Sequence, residues 1–379
     1  MFRRGRLLIG KEFKLATRSK WLLLLVIVFP ILASLAVISV DGEPSYSRLK
    51  LAVVNEDRTF LGLFFANFLT SMLRGENIVE VPSRVELAEV LSETDGALII
   101  PRGFANDLLF AKPSEIVFVP NTSRLYTSIA IYQVLNNALL EFRALPVIAD
   151  PDFMSQVDLD PDYPPPRIVV ESMTEQQMSM STLLLPAVIA AGVMLLAGIG
   201  ASWSVHEELA TDVVSLLRIS NVRAYEIIIS KLLTYVLVSL LMVSVFLLTS
   251  TLMGFGAPGS QLSLLVTFLC LALFSISIGI LFGVSLGGGK AGQILSVAVI
   301  VILMVIGGFF VPLSIYPESV QQFSRLLPST RLVEALQRVS VLGSTDGVTR
   351  SGWIWALLSG GSILLLSSLV LERRLKNLS

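Results

Sequence analysis

The sequence predicts an α-helical polytopic membrane protein with six transmembrane helices and an inserted extracytoplasmic α/β or α+β domain. Three observations predict it. Of 379 residues, 54% are hydrophobic and only 15% charged, whereas soluble domains usually carry about a quarter charged residues. Six apolar runs are each long enough to cross a bilayer. Between the first and second of them the pattern changes to short β-rich stretches alternating with amphipathic ones.

A helix crosses about 30 Å of hydrocarbon with roughly 20 residues, because in lipid every backbone N–H and C=O has to be satisfied within the segment. The runs that qualify are Trp21–Val40, Leu183–Val205, Ile227–Met253, Leu262–Leu286, Ile294–Val311 and Trp353–Leu371, the third holding Lys231 near one end. Six spans put both ends of the chain on one side. Arg3, Arg4, Arg6, Lys11, Lys14, Arg18 and Lys20 precede the first run, and Arg373, Arg374 and Lys376 follow the last. The positive-inside rule therefore makes both termini cytoplasmic in a cell membrane. It divides the chain into an N-terminal segment 1–20, a first span 21–40, an extracytoplasmic domain and linker 41–182, a transmembrane region 183–371 and a tail 372–379. Within 183–371, residues 206–226 and the turn 287–292 fall inside, and 312–352 fall outside.

The first run has a basic flank and a small-residue stretch, Ala33-Ser-Leu-Ala36, like a secretory signal. Its length exceeds a signal's apolar core, so it is expected to stay as an anchor. Ahead of it, Leu8, Ile9, Phe13 and Ala16 lie among the basic residues at roughly helical spacing. That suits an amphipathic helix on the inner membrane surface, or a plain basic flank.

From Lys50 the alternation runs Leu51–Val54, Phe60–Leu73, Ile78–Val81, Arg84–Leu91, Ala97–Ile100, Phe104–Leu109, Ile116–Val119 and Ser123–Phe142. Strand and helix signals in alternation predict helices packed on a small sheet. The Pro- and Asp-rich stretch Asp150–Pro166 reads as a linker back to the membrane. Asn121-Thr-Ser123 matches a glycosylation triplet, a pattern common by chance.

The chemistry the sequence lacks is informative. Net charge is −1, so no basic field exists to hold nucleic acid, which is not an expected partner. Cys270 and His206 are the only cysteine and histidine. No intrachain disulfide can form, and neither a Cys/His metal site nor a histidine-based nucleophile has residues to draw on. Gly287-Gly-Gly-Lys290-Ala-Gly292 departs from a phosphate loop, with Val284 at the first glycine and Ala291 in place of the hydroxyl residue; it reads as a tight turn. The runs contain no Asp, Glu, Arg or His of the kind ion-coupled transporters embed, so uphill transport would draw its energy from elsewhere. Gly192, Ala197, Gly198, Gly200, Gly279, Gly283, Gly307 and Gly308 permit close helix packing.

Two connecting segments carry more. In 206–220, Leu209, Val213, Leu216 and Leu217 recur at helical spacing, with Glu207, Glu208, Asp212 and Arg218 available to a partner, as in a short amphipathic surface helix. In 312–352, proline-broken runs Val320–Leu327 and Leu332–Val341 fit two short helices dipping toward the bilayer. These segments resemble the permease subunits of type 2 ATP-binding cassette exporters, the ABC-2 family, in its branch with a large extracytoplasmic domain after the first span. The likeness rests on Glu208-Leu-Ala-Thr211, Leu216-Leu217, Ser220-Asn221, Glu226 and Ser230-Lys231, then Gly308-Phe-Phe-Val-Pro312, Pro328-Ser-Thr330 and Glu334-Ala-Leu-Gln-Arg338. Ile99-Ile-Pro-Arg-Gly-Phe104 and the span spacing extend it over nearly the whole chain. Ala210 and Ser220-Asn221 depart from the family's Gly and Thr-Pro.

The resemblance implies a permease dimer, of two copies or of two paralogues, that binds a separate ATPase subunit through Glu207, Glu208, Leu209, Thr211, Leu216, Leu217 and Arg218. ATP and Mg would be held by that subunit, with no cofactor, metal or catalytic residue in this chain. A hydrophobic or amphipathic substrate, drug-like or lipid, would move outward past the second and fifth spans, including Phe309 and Phe310; those aromatics equally suit interfacial anchors or core. Membrane lipid is the surrounding partner. A different reading is a non-transporting scaffold or secretion accessory acting through its extracytoplasmic domain.

Overall fold

A computed structural model describes residues 9–15, 18, 20–38, 49–71, 78–110, 112–122, 124–141, 166–171, 180–210, 222–252, 261–286, 290–310, 313, 316–342, 345 and 347–377. The chain folds as two compact units, Asp41–Met180 and the remainder, Met1–Val40 with Ser181–Ser379.

The inserted unit is built on a five-stranded sheet. Its elements are β1 (Leu51–Asn55), α2 (Phe60–Ser71), β2 (Ile78–Glu80), α3 (Leu87–Val90), β3 (Gly96–Ile100), α4 (Phe104–Leu109), β4 (Glu115–Pro120), α5 (Leu125–Glu141) and β5 (Arg167–Val170). The numbering leaves α1 for the helix that precedes them, Lys20–Ile38. Strand order is β2-β1-β3-β4-β5, parallel except for the β3–β4 pair. The central strand β3 is buried along its whole length. That explains its unbroken apolar run, since a strand covered on both faces has no reason to alternate. The period of two persists in where the residues go: Ala52, Val54, Ala97 and Ile99 share one cluster with Val81 and Leu87. Phe65 of α2 and Phe104 of α4 meet edge-to-face at 5.4 Å.

Buried carboxylates and an amide fix the turns of this unit. Asp57, 2% exposed, accepts from the Thr59 N–H and hydroxyl at 3.2 and 2.7 Å and from the Ala105 N–H at 2.8 Å. One side chain thus holds the starts of α2 and α4 together, satisfying donors that helix termini leave open. Asn121 is buried and donates to the carbonyls of Leu91 and Thr94 at 2.8 and 2.6 Å. Its amide is engaged inside the fold, which leaves the glycosylation triplet without an accessible acceptor. The strand β5, which pairs in parallel with β4, follows directly on the stretch read as a linker.

The second unit is a helical bundle: α1, α6 (Met180–Ala210), α7 (Ala224–Leu252), α8 (Gln261–Leu286), α9 (Lys290–Ile306), α10 (Glu318–Ser324), α11 (Pro328–Leu342) and α12 (Gly347–Asn377). Among the described residues four helices are long and apolar enough to cross a membrane, within α6, α7, α8 and α12; Val26–Ala36 and Gly292–Ile306 are shorter apolar helices. With the inserted sheet, this is a polytopic membrane protein.

Packing in the bundle is set by backbone approach and by hydroxyls that bridge helices. A Cβ placed on Gly279 of α8 would lie 2.0 Å from the Gly198 carbonyl oxygen of α6, so only glycine allows this crossing. Next to it the Ser275 hydroxyl donates to the Met194 carbonyl at 2.7 Å, giving up no donor to lipid. The indole N–H of Trp353 on α12 likewise donates to Thr267 of α8 at 2.9 Å.

The fifth apolar run stops earlier than the sequence suggests, and the backbone shows why. Gly308 has φ +80°. Its N–H donates to Val305, and the Phe309 N–H to Met304. This is the Schellman arrangement, in which a left-handed residue ends a helix and satisfies its last carbonyls.

The Gly198–Gly279 contact is backbone to backbone and cannot relax by a rotamer change, so Gly279→Leu should cost about 3 kcal/mol or more. Gly361, whose added Cβ would meet nothing within 4 Å, is the control. Thermal unfolding in detergent should show a large loss of midpoint for Gly279→Leu and little for Gly361→Ala; equal effects would contradict the crossing.

Candidate functional site

The sequence reading ends the second span at Val205 and begins a separate surface helix at His206. In the structure α6 continues without a break to Ala210. His206 is 1% exposed. Ser204 and Glu208, four residues apart, lie on one face of this last part of α6. Glu208 is turned toward the bundle, where Lys231 of α7 waits.

Lys231 is 1% exposed. Its Nζ stands 2.9 Å from Glu208 Oε2 and 3.2 Å from Glu12 Oε1. Residues 9–15 are helical, and they bring Glu12 and Lys11 to the same place. Lys11 Nζ is 2.7 Å from Glu208 Oε1. Ser204 relays between charges, accepting from Lys231 and donating to Glu12 Oε2 at 2.9 Å. Two ammonium and two carboxylate groups thus neutralise one another with their lone pairs occupied, the condition under which a charge can be removed from water. Burial pushes the Glu12 carboxyl above the usual carboxylate range, against the pull of Lys231. The cations also face the C-terminal end of α6, where the helix dipole favours positive charge.

The cluster explains why α6 runs on: with Glu208 paired internally, the helix has no need to break and expose it. Of the cluster's four charged groups only Lys231 lies within one of the apolar runs; Lys11, Glu12 and Glu208 lie outside them. Lys231 alone, within an apolar run, signals a counter-charge somewhere in the sequence. Glu12 is the only acidic residue among residues 1–40, but it stands in a basic flank that reads as a topology signal or as the polar face of a surface helix.

Of the residues expected to dock a partner, Glu207 is exposed on α6, Glu208 is in the cluster, and Leu209 is half-buried. Leu209 lines a cleft with Val205, Ile227, Ile228, Val284, Leu371 and Leu375, floored by Glu208 and Lys231. Thr211, Leu216, Leu217 and Arg218 lie outside the described residues, as do Asp212, Val213 and Ser220. The chain resumes at Val222, and Glu226 accepts from the Arg223 N–H at 3.0 Å. This is the carboxylate half of a capping box starting α7. Among the described residues no three His, Cys, Asp or Glu side chains gather closely enough to hold a metal.

The two aromatics proposed for a substrate path separate. Phe309 is 2% exposed, the apolar residue that closes the Schellman turn, and Phe310 is 54% exposed.

Residues 20–371 match a family model described as ABC-2 family transporter protein. No curated protein matches the chain.

Removing one partner of a buried ion pair leaves the other uncompensated, at a cost of about 3–5 kcal/mol. Lys231→Met should therefore lower the thermal midpoint strongly, and Lys231→Met with Glu208→Gln should recover much of the loss. A double variant no more stable than the single would refute charge pairing as the source of the effect.

Proposed function

The chain belongs to the ABC-2 family of transporter proteins, and on that premise we propose that it is the permease of an exporter moving a hydrophobic or amphipathic substrate outward, drug-like or lipid. Permeases of this family are generally not catalytic themselves. ATP and Mg are held by a separate ATP-binding cassette subunit, which docks on the cytoplasmic stretch 206–223. The permease has six spans, both termini in the cytoplasm of a cell carrying it in the cell membrane, and an extracytoplasmic domain at 41–182. It works as a dimer of two copies or two paralogues.

The observation that carries the docking reading is the four-charge cluster. It binds the helical segment 9–15 to α6 and α7 immediately beside the stretch proposed to meet the ATPase. A push on 206–223 reaches α6 directly, through its last turn, and reaches the N-terminal segment and α7 through Glu208, Glu12 and Lys231. Movement between two discrete packings of such elements is how nucleotide-driven closure changes access to a path. Glu207, exposed one residue from the cluster, is the contact to the partner, and Glu208 positions α6 from within. Leu209, Thr211, Leu216, Leu217 and Arg218 complete the surface. Phe310 faces the substrate path.

The cognate ATPase should copurify with the permease. Glu207→Lys should weaken the complex by about tenfold, which is roughly 1.4 kcal/mol, without lowering the permease's own thermal midpoint; Glu208→Lys should lower that midpoint as well. Unchanged ATPase affinity in Glu207→Lys, measured by titration in detergent, would remove Glu207 from the interface.

A further inference from the structure

Helix α11 presents two different faces. Leu332, Val333, Leu336 and Val339 join the bundle core. Arg331, Glu334 and Arg338, at spacings of three and four, fall on another face, and all three are half-buried where solvent-facing charges would be exposed. Arg325, in the turn between α10 and α11, is exposed. Three guanidinium groups act on the Glu334 carboxyl, yet burial prevails over them and holds it above its usual range. Among the described residues, Arg325 and Arg331 make no ion pair with any carboxylate.

Arg331 is nevertheless held firmly. Its Nε donates to the Arg325 carbonyl at 3.0 Å, and its guanidinium lies 5.6 Å from the centre of the Trp355 ring. The Trp355 indole N–H donates to the Leu326 carbonyl at 3.1 Å, so the ring itself is fixed. A guanidinium stacked on an aromatic and tethered through Nε keeps its terminal N–H donors directed and pays little to bind an oxyanion. Around it Phe323, Leu326 and Trp355 are 54%, 63% and 43% exposed. A fixed guanidinium, an exposed second arginine, an indole and exposed apolar side chains match the polar–apolar boundary of a bilayer.

We propose that the hairpin α10–α11, with Trp355 of α12, is a binding site for the anionic headgroup of a membrane lipid, Arg325 and Arg331 engaging the headgroup phosphate and Phe323 and Leu326 its first acyl carbons. The site requires only that the chain lies in a membrane, so it stands or falls separately from the transport reading.

The test is a titration of the full chain in neutral detergent with phosphatidylglycerol, following tryptophan emission, with phosphatidylcholine and inorganic phosphate as parallel arms. Saturable quenching or shift with phosphatidylglycerol alone is the expected result, absent in Trp355→Phe. Arg331→Gln should raise the half-saturation concentration about tenfold, and Arg325→Gln, at an exposed position, should raise it without changing the thermal midpoint. An equal response to phosphatidylcholine, the same response to inorganic phosphate alone, or full response in Arg325→Gln/Arg331→Gln would each overturn the proposal.

Discussion

A lysine in an apolar helix has to bring its own solvent. Lys231 does so with two carboxylates and a hydroxyl drawn from two other segments of the chain, and much of the bundle at that end follows from it. The N-terminal segment is held by Glu12 and Lys11, and α6 is prolonged because Glu208 is consumed internally. The low dielectric that makes such a cluster strong makes any missing member costly, so the four charges act as one unit. Its parts cannot move independently without exposing an unpaired charge.

The inserted unit obeys the rules of water-soluble folding. Its sheet buries a continuous apolar strand at the centre, and its turns are held by side chains such as Asp57 and Asn121 that answer backbone groups. The bundle has no water to share that work. Its hydroxyls turn back on carbonyls or across to a neighbouring helix, as Ser275 does to Met194. Both solutions answer the same demand, that buried N–H and C=O groups find partners.

Most of the architecture was legible in the sequence because two strong periodicities carry it. The long apolar runs mark α6, α7, α8 and α12, and the β-rich and amphipathic stretches from Leu51 to Phe142 match the first eight elements of the inserted unit. What was not legible depended on distant partners. Strand β5 is four residues long and follows a proline-rich stretch, so only its pairing with β4 defines it. The stop of α9 needs the positive φ of Gly308, which a glycine permits but does not announce. Glu12 carries no local signal at all; its importance comes from Lys231, more than two hundred residues away in sequence. The exposed Glu207 and the inward Glu208 are adjacent and chemically alike, and only the helix they share distinguishes them.

The contact between Gly198 and Gly279 has a mechanical meaning. With an α8 backbone resting on an α6 carbonyl and a serine bridge beside it, the two helices are interlocked like crossed rods notched at one point. Sliding along either axis would drive a side chain into a backbone, while pivoting about the notch would not. Relative motion of α6 and α8 is therefore confined to rotation about that crossing.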